Sequence, residues 1–268
     1  MRGTGDNARR AEAEALVSLA REAGVVLLGY FRRGALPHLK KAGRANIVTE
    51  ADLASQELIL TGLARIFPGI PAVGEEGRTG EEPLEGPYFL VDPLDGTLNF
   101  LHGIPFFGVS IALMEGGEPV VGVVHAPALG ETFHAVRGGG AFLNGERIET
   151  RGHVPIREAV AVTGWPYDPK LLPWAQRALA AIQARVREVR ILGAASLEMC
   201  YVAAGFIDIY WEVGLYPWDL AAGWLVVEEA GGVVGDEDGG RFRLYLGRVV
   251  AGRSRGLVDE AVRALRSL

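Results

Sequence analysis

Three short stretches hold the residues most able to do chemistry: Gly74-Glu75-Glu76, Asp92-Pro93-Leu94-Asp95-Gly96-Thr97 and Trp218-Asp219-Leu220-Ala221-Ala222-Gly223. Each sets carboxylates among small or turn-forming residues, and hard divalent cations want such oxygen ligands. Asp92 and Asp95 lie three residues apart, with Pro93 stiffening the backbone and the Leu94 carbonyl between them. Two carboxylates that close repel, and burying them without a cation is expensive. A divalent ion removes that cost. Gly96 lets another group approach the backbone, and the Gly-Thr step offers N–H groups to a phosphate. Thr97 can cap a short helix or orient a water. Metal plus phosphate implies a magnesium-dependent phosphatase.

Taken alone, the Asp-rich turn reads equally well as a structural turn with an N-cap. Glu75 shifts the balance, because Gly74-Glu75-Glu76 ends an apolar strand and can bring Glu75 to the same ion. Glu76 reads as solvated. Asp52 falls in the first turn of a helix and Asp219 opens another, where a negative charge is welcome for the helix dipole alone. That explanation does not account for four acidic sites together.

The elements that must position these residues follow from periodicity. Apolar residues recur every three or four positions over 8–33 and again over 49–67, where Leu53, Leu58, Ile59 and Leu63 are expected to face inward. From 70 to 150 the pattern becomes β, with strands at 70–73, 88–91, 106–114, 120–125 and 131–136. Strand 88–91 would deliver Asp92 to its C-terminal end, where open α/β sheets keep ligand sites. Gly138-Gly139-Gly140 and Asn144-Gly145 read as turns around a short strand. After about 150 the order alternates: strand 160–163, helix 171–184, strand 189–192, helix 194–204, strand 207–211, helix 218–230, strand 249–251 and a closing helix 257–268. Alternation implies a covered sheet of α/β type. Gly235-Asp236-Glu237-Asp238-Gly239 lacks calcium-loop spacing and reads as a solvated hairpin turn.

Composition narrows the class. The chain has 268 residues, 49% hydrophobic and 22% charged, which suits a large globular core in one domain or two joined ones. A net charge of −6 argues against a general nucleic-acid binder. One cysteine, Cys200 in an apolar run, excludes intrachain disulfides and reads as a packed, inert thiol. With no signal-like segment and no apolar run of spanning length, a cytoplasmic location without membrane contact is expected. Lysine occurs only at 40, 41 and 170, so the Lys40-Lys41 pair suggests a compact ammonium near phosphate. The five histidines form no metal-ligand cluster.

The motifs Gly-Glu-Glu, Asp-Pro-Leu-Asp-Gly-Thr-Leu-Asn-Phe and Trp-Asp-Leu-Ala-Ala-Gly resemble the signature of the inositol monophosphatase family. The likeness runs from about residue 8 to the end. It implies a layered α-β-α-β-α sandwich of the sugar-phosphatase type, with residues 1–148 carrying most metal ligands and 149–268 carrying Asp219 and substrate contacts. Glu75, Asp92 and the Leu94 carbonyl would bind a first magnesium, and Asp92, Asp95 and Asp219 a second. A third, weaker ion would sit near Glu75, and manganese could substitute. Gly96 and Thr97 amides would hold the phosphate. Glu75, Thr97 and Asp52 would orient and deprotonate the attacking water. Lys41 would lie near the site, Glu212 would bond a sugar-alcohol hydroxyl, and Ala195 would touch substrate through its backbone. The implied activity is hydrolysis of small polyol phosphate monoesters, inositol 1-phosphate foremost, by a homodimer. Fructose 1,6-bisphosphate, histidinol phosphate and 3′-phosphoadenosine nucleotides are the rival substrates, for which Arg157 and Arg190 would supply charge. A non-catalytic regulator binding protein or RNA is the distant rival.

Overall fold

The computed structural model describes residues 3–33, 38–40, 47–76 and 85–268. Its elements are α1 (Gly3–Tyr30), β1 (His38–Lys40), β2 (Ile47–Thr49), α2 (Glu50–Ile66), β3 (Ala72–Gly74), β4 (Tyr88–Asp95), α3 (Thr97–Leu101), β5 (Gly108–Glu115), β6 (Glu118–Ala126), β7 (Glu131–Val136), β8 (Gly140–Leu143) and β9 (Glu146–Ile148). There follow β10 (Val160–Thr163), α4 (Leu172–Gln183), β11 (Glu188–Arg190), α5 (Ala195–Ala203), β12 (Ile209–Val213), α6 (Pro217–Glu229), β13 (Val233–Gly235), β14 (Arg248–Gly252) and α7 (Arg255–Leu265).

Strands β3 to β9 form a seven-stranded sheet in chain order, with β3 parallel to β4 and every later pair antiparallel. A second sheet runs β11-β10-β12-β14-β13. The alternation of side chains across a strand shows how the layers stack. On β4, Phe89 and Val91 join α1 and α2 residues such as Leu16, Leu19, Ile59 and Leu63 in one core. Tyr88 and Leu90 face the other way, toward Leu197, Leu220 and Val226 of α5 and α6. On the second sheet, Tyr210, Val249 and Ala251 cover the far side of α5 and α6. Ile209, Trp211 and Val250 pack beneath α4 and α7. The order of layers is α1/α2, seven-stranded sheet, α5/α6, five-stranded sheet, α4/α7. Helix α6 is buried along Pro217–Val227, which explains a sequence apolar on every side.

Some expectations change in detail. Leu53 is exposed, because the inward stripe of α2 is set by Ala51, Ser55, Ile59, Gly62 and Leu63. Strand β4 does not stop at Val91. It continues to Asp95 through a register shift between Asp92, opposite Ser110, and Asp95, opposite Gly108. Pro93 has no N–H to give to a ladder, so the strand bulges there and both aspartates stay on it. The C-terminal sheet is mixed, since β14 pairs antiparallel with β12 and with the unforeseen strand β13. The turn after β13 is not solvated throughout. Asp236 is buried, accepting from the Asp238 and Gly240 amides at 3.1 and 2.7 Å and pairing with Arg243.

Candidate metal and phosphate site

The site forms where the ends of β3 and β4 meet the start of α2, α5 and α6. Helix α2 begins at a capping box: Asp52 Oδ2 accepts from Thr49 N at 2.8 Å, while Thr49 Oγ1 accepts from the Ala51 and Asp52 amides. This fixes Asp52, which is fully buried, and turns its other oxygen toward the 92–97 segment. Thr97 Oγ1 lies 3.1 Å from Asp52 Oδ1 and 3.0 Å from the Leu94 carbonyl; its one proton serves one acceptor at a time. Two further α2 side chains hold the acidic segments. Ser55 Oγ donates to the Pro93 carbonyl at 2.8 Å. Gln56 bonds both the carbonyl and the amide of Glu76, at 2.8 and 2.9 Å, which fixes the chain beside Glu75. Glu76 is half-buried and not simply solvated.

Asp92, Asp95 and Asp219 are buried and Glu75 is half-buried. Asp92 Oδ1 accepts from Leu94 N at 2.9 Å, and Asp219 Oδ2 from Tyr216 N at 2.8 Å. Asp95 Oδ2 reaches from the N-terminal sheet to α5, accepting from Ser196 N at 2.8 Å and Ser196 Oγ at 2.5 Å. Burial pushes the Asp92 carboxyl well above its ordinary value, and the charges of Glu75, Asp95 and Asp219 add to it. Asp219 is raised for the same reasons, burial first and then Glu75 and Asp95. Burial lifts Asp95 to about 6 against its bonds from Ser196, and Asp52 to about 6 against its bonds from Thr49. Asp92 and Asp219 feel the charges of Glu75 and Asp95, and Asp52 that of Glu75, so the chain brings together acids 144 positions apart, Glu75 and Asp219.

Among the described residues, no three acidic, histidine or cysteine side chains are drawn together as tightly as a bound cation would hold them. Their oxygens are engaged instead by peptide and hydroxyl donors. The donor set itself fits a hard divalent ion: buried carboxylates and one peptide carbonyl, mutually repulsive unless a positive charge lies among them.

Glu75, Asp92, Asp95 and Asp219 line a cavity of about 340 Å³. Gly96 and Thr97 line it as well, and Gly96 has φ +86°, a left-handed conformation that favours glycine. A Cβ there would also sit 3.1–3.2 Å from the Phe106 carbonyl, the Gly193 carbonyl and Ala194 Cβ. Ala195 and Glu212 lie on the C-terminal side of the cavity. Tyr210 donates to Glu212 at 2.8 Å, and burial raises Glu212 to about 7 against that bond. Lys41 falls outside the described residues. Sequence reasoning missed Ser55, Gln56 and Ser196, since nothing local links them to the carboxylates. It also missed the exposed aromatic rim of Trp165, Tyr167 and Tyr216. Cys200 is buried with its thiol pushed well up, as an inert packed residue should be.

The model of the inositol monophosphatase family matches residues 9–268. An inositol-1-monophosphatase of Mesorhizobium japonicum is 40% identical, covering 91% of this chain and 92% of its own. A fructose-1,6-bisphosphatase/inositol-1-monophosphatase of Thermotoga maritima is 39% identical over 85% of this chain and 86% of its own. Among solved structures, the extragenic suppressor protein suhB of Bartonella henselae superposes with a TM-score of 0.89 at 38% identity, covering 96% of this chain and 98% of that one. The chain belongs to the inositol monophosphatase family and is a metal-dependent phosphoric monoester hydrolase.

Proposed function

We propose that this phosphatase hydrolyses small polyol phosphate monoesters, with inositol 1-phosphate as its best substrate, and that magnesium is the metal it uses. The observation that carries the reading is the cluster of Glu75, Asp92, Asp95 and Asp219, whose charges act on one another inside one cavity. These residues and the Leu94 carbonyl would hold two to three ions, which supply an acidified water and neutralise charge on the phosphate and leaving oxygen. The Gly96 and Thr97 amides bind phosphate oxygens. Thr97, tied to Asp52, orients the water, and Asp52 or Glu75 takes its proton. Glu212 accepts a hydroxyl of the leaving polyol, with Ala195 alongside through its backbone. Lys41 is assigned to the phosphate side on the resemblance alone.

The cavity walls support a singly phosphorylated, otherwise neutral substrate. Among the described residues no lysine or arginine lines it. Arg157 and Arg190 do not supply the charge a bisphosphate or nucleotide would want: both are exposed and paired with Glu158 and Glu188. Phosphate release measured across inositol 1-phosphate, fructose 1,6-bisphosphate, histidinol phosphate and a 3′-phosphoadenosine nucleotide tests this. The highest kcat/KM should fall on inositol 1-phosphate; a preference for the nucleotide or the bisphosphate would overturn it. A regulator that lost catalysis would be free to lose ligands, and this chain keeps them all.

We further read residues 1–148 and 149–268 as two halves sharing this one site, and the enzyme as a cytoplasmic homodimer. No described helix is long and apolar enough to cross a membrane. The dimer rests on family analogy, and sedimentation at micromolar protein would check it.

A further inference from the structure

The segment from Ile191 to Ala195 lines the cavity beside Gly96, and it is held by a residue with no role above. Glu198, on α5, is fully buried. Its Oε1 accepts from Leu192 N at 2.9 Å and Gly193 N at 3.0 Å, and its Oε2 is buried without a partner. From the opposite side, Asn99 Nδ2 donates to the Leu192 carbonyl at 2.7 Å and reaches the Gly193 carbonyl at 3.4 Å. Gly193 has φ +83°, and Asn99 lies 3.2 Å from where its Cβ would be. Amides and carbonyls of the same two residues are thus fixed by two side chains from different halves of the chain. A loop that only needed its amides satisfied could use water; burying a carboxylate for that purpose is costly. The cost is understandable if the wall must not move.

We propose that Glu198 is a positioning residue for substrate recognition: by clamping Leu192 and Gly193 against Asn99, it sets the wall that meets the alcohol part of the ester. At the phosphate end, the Thr97 hydroxyl keeps its own partners outside this wall, Asp52 and the Leu94 carbonyl. This rests on the phosphatase reading for its substrate, but the clamp itself can be measured without turnover.

The test compares Glu198→Ala and Glu198→Gln with the wild-type enzyme. Glutamine keeps an acceptor for both amides and alanine keeps none. In Glu198→Ala, KM for inositol 1-phosphate should rise roughly tenfold while kcat and the inhibition constant of orthophosphate stay within about twofold of wild type. Glu198→Gln should stay near wild type in all three. Amide exchange, followed on the protein without substrate, should speed up at Leu192 and Gly193 in the alanine variant only. A folded Glu198→Ala enzyme with unchanged KM, or a glutamine variant as impaired as alanine, would overturn the proposal. So would unchanged exchange at those amides, even if the wild-type protein proved inactive on every ester. Should Glu198→Ala fail to fold, Asn99→Ala, which frees the Leu192 and Gly193 carbonyls from the other side, carries the same expectation and the same refutation.

Discussion

Thr97 is the residue on which the most local chemistry converges, and its hydroxyl lies between Asp52 and the Leu94 carbonyl. Thr97→Val keeps the shape and removes the hydroxyl, so turnover should fall by about 10²-fold or more with little change in melting temperature, as for loss of a group that orients a proton transfer. Thr97→Ser should recover most of it. A valine variant with wild-type kcat would remove Thr97 from the mechanism. At this scale much of the candidate site was legible before any fold was known. Asp92, Asp95, Thr97 and Asp219 announced themselves because carboxylates beside Gly, Pro and Thr have few structural uses in combination. Ser55, Gln56, Ser196 and Glu198 did not. A serine or glutamine in an apolar helix looks the same whether it holds a distant peptide or faces solvent, and only tertiary placement separates the two.

Element positions were legible where a single periodicity ruled. Helices α2, α5 and α6 and strands β7 and β10 fall where their apolar residues put them, although on α2 the spacing misassigned Leu53, which is exposed. The end of β4 was harder, since the apolar run stops at Val91 while the strand continues past Pro93 through a bulge. β13 went unforeseen; it is defined by its pairing with β14, a tertiary contact. Helix α6 packs closely on the seven-stranded sheet. A Cβ on Gly122 of β6 would lie 3.0 Å from the Ala222 Cα and carbonyl oxygen, both backbone atoms that cannot swing aside. Gly122→Ala should therefore destabilise the protein by about 1–3 kcal/mol, read as a lower midpoint in denaturant; an unchanged midpoint would show that the layers can part without cost. Gly164 makes a contrasting case. Its Cβ would fall 2.2 Å from Glu212 Oε1, the end of a side chain, so Gly164→Ala should displace Glu212 and raise KM for a polyol ester severalfold with a small change in stability. Equal KM in mutant and wild type would contradict the role given to Glu212.

At the scale of the whole molecule, the layered fold gathers like charges from both halves of the chain and holds them out of water. Buried Asp52 and Asp95 rise from an ordinary 3.8 to about 6, so between about pH 4 and 6 the native state binds more protons than the unfolded chain. Their contribution to the stability of the metal-free protein is complete below that window and is lost as pH rises through it. Chelated protein should thus lose stability between pH 4 and 6 more steeply than Asp52→Asn does, as judged by denaturant midpoints. A shallower loss in wild type would reverse the sign assigned to Asp52. Added magnesium should restore the midpoint at neutral pH, because it binds the folded, ionised cluster.

Release of orthophosphate from inositol 1-phosphate as magnesium is titrated, in wild type and in Asp219→Asn, tests the joining of the two halves at one metal site most directly. The account predicts no turnover in excess chelator, a saturable rise with magnesium in wild type, and at least a tenfold higher magnesium requirement or no recovery in the variant. Turnover that persists undiminished in chelator, or an Asp219→Asn enzyme with the wild-type magnesium curve, would contradict it.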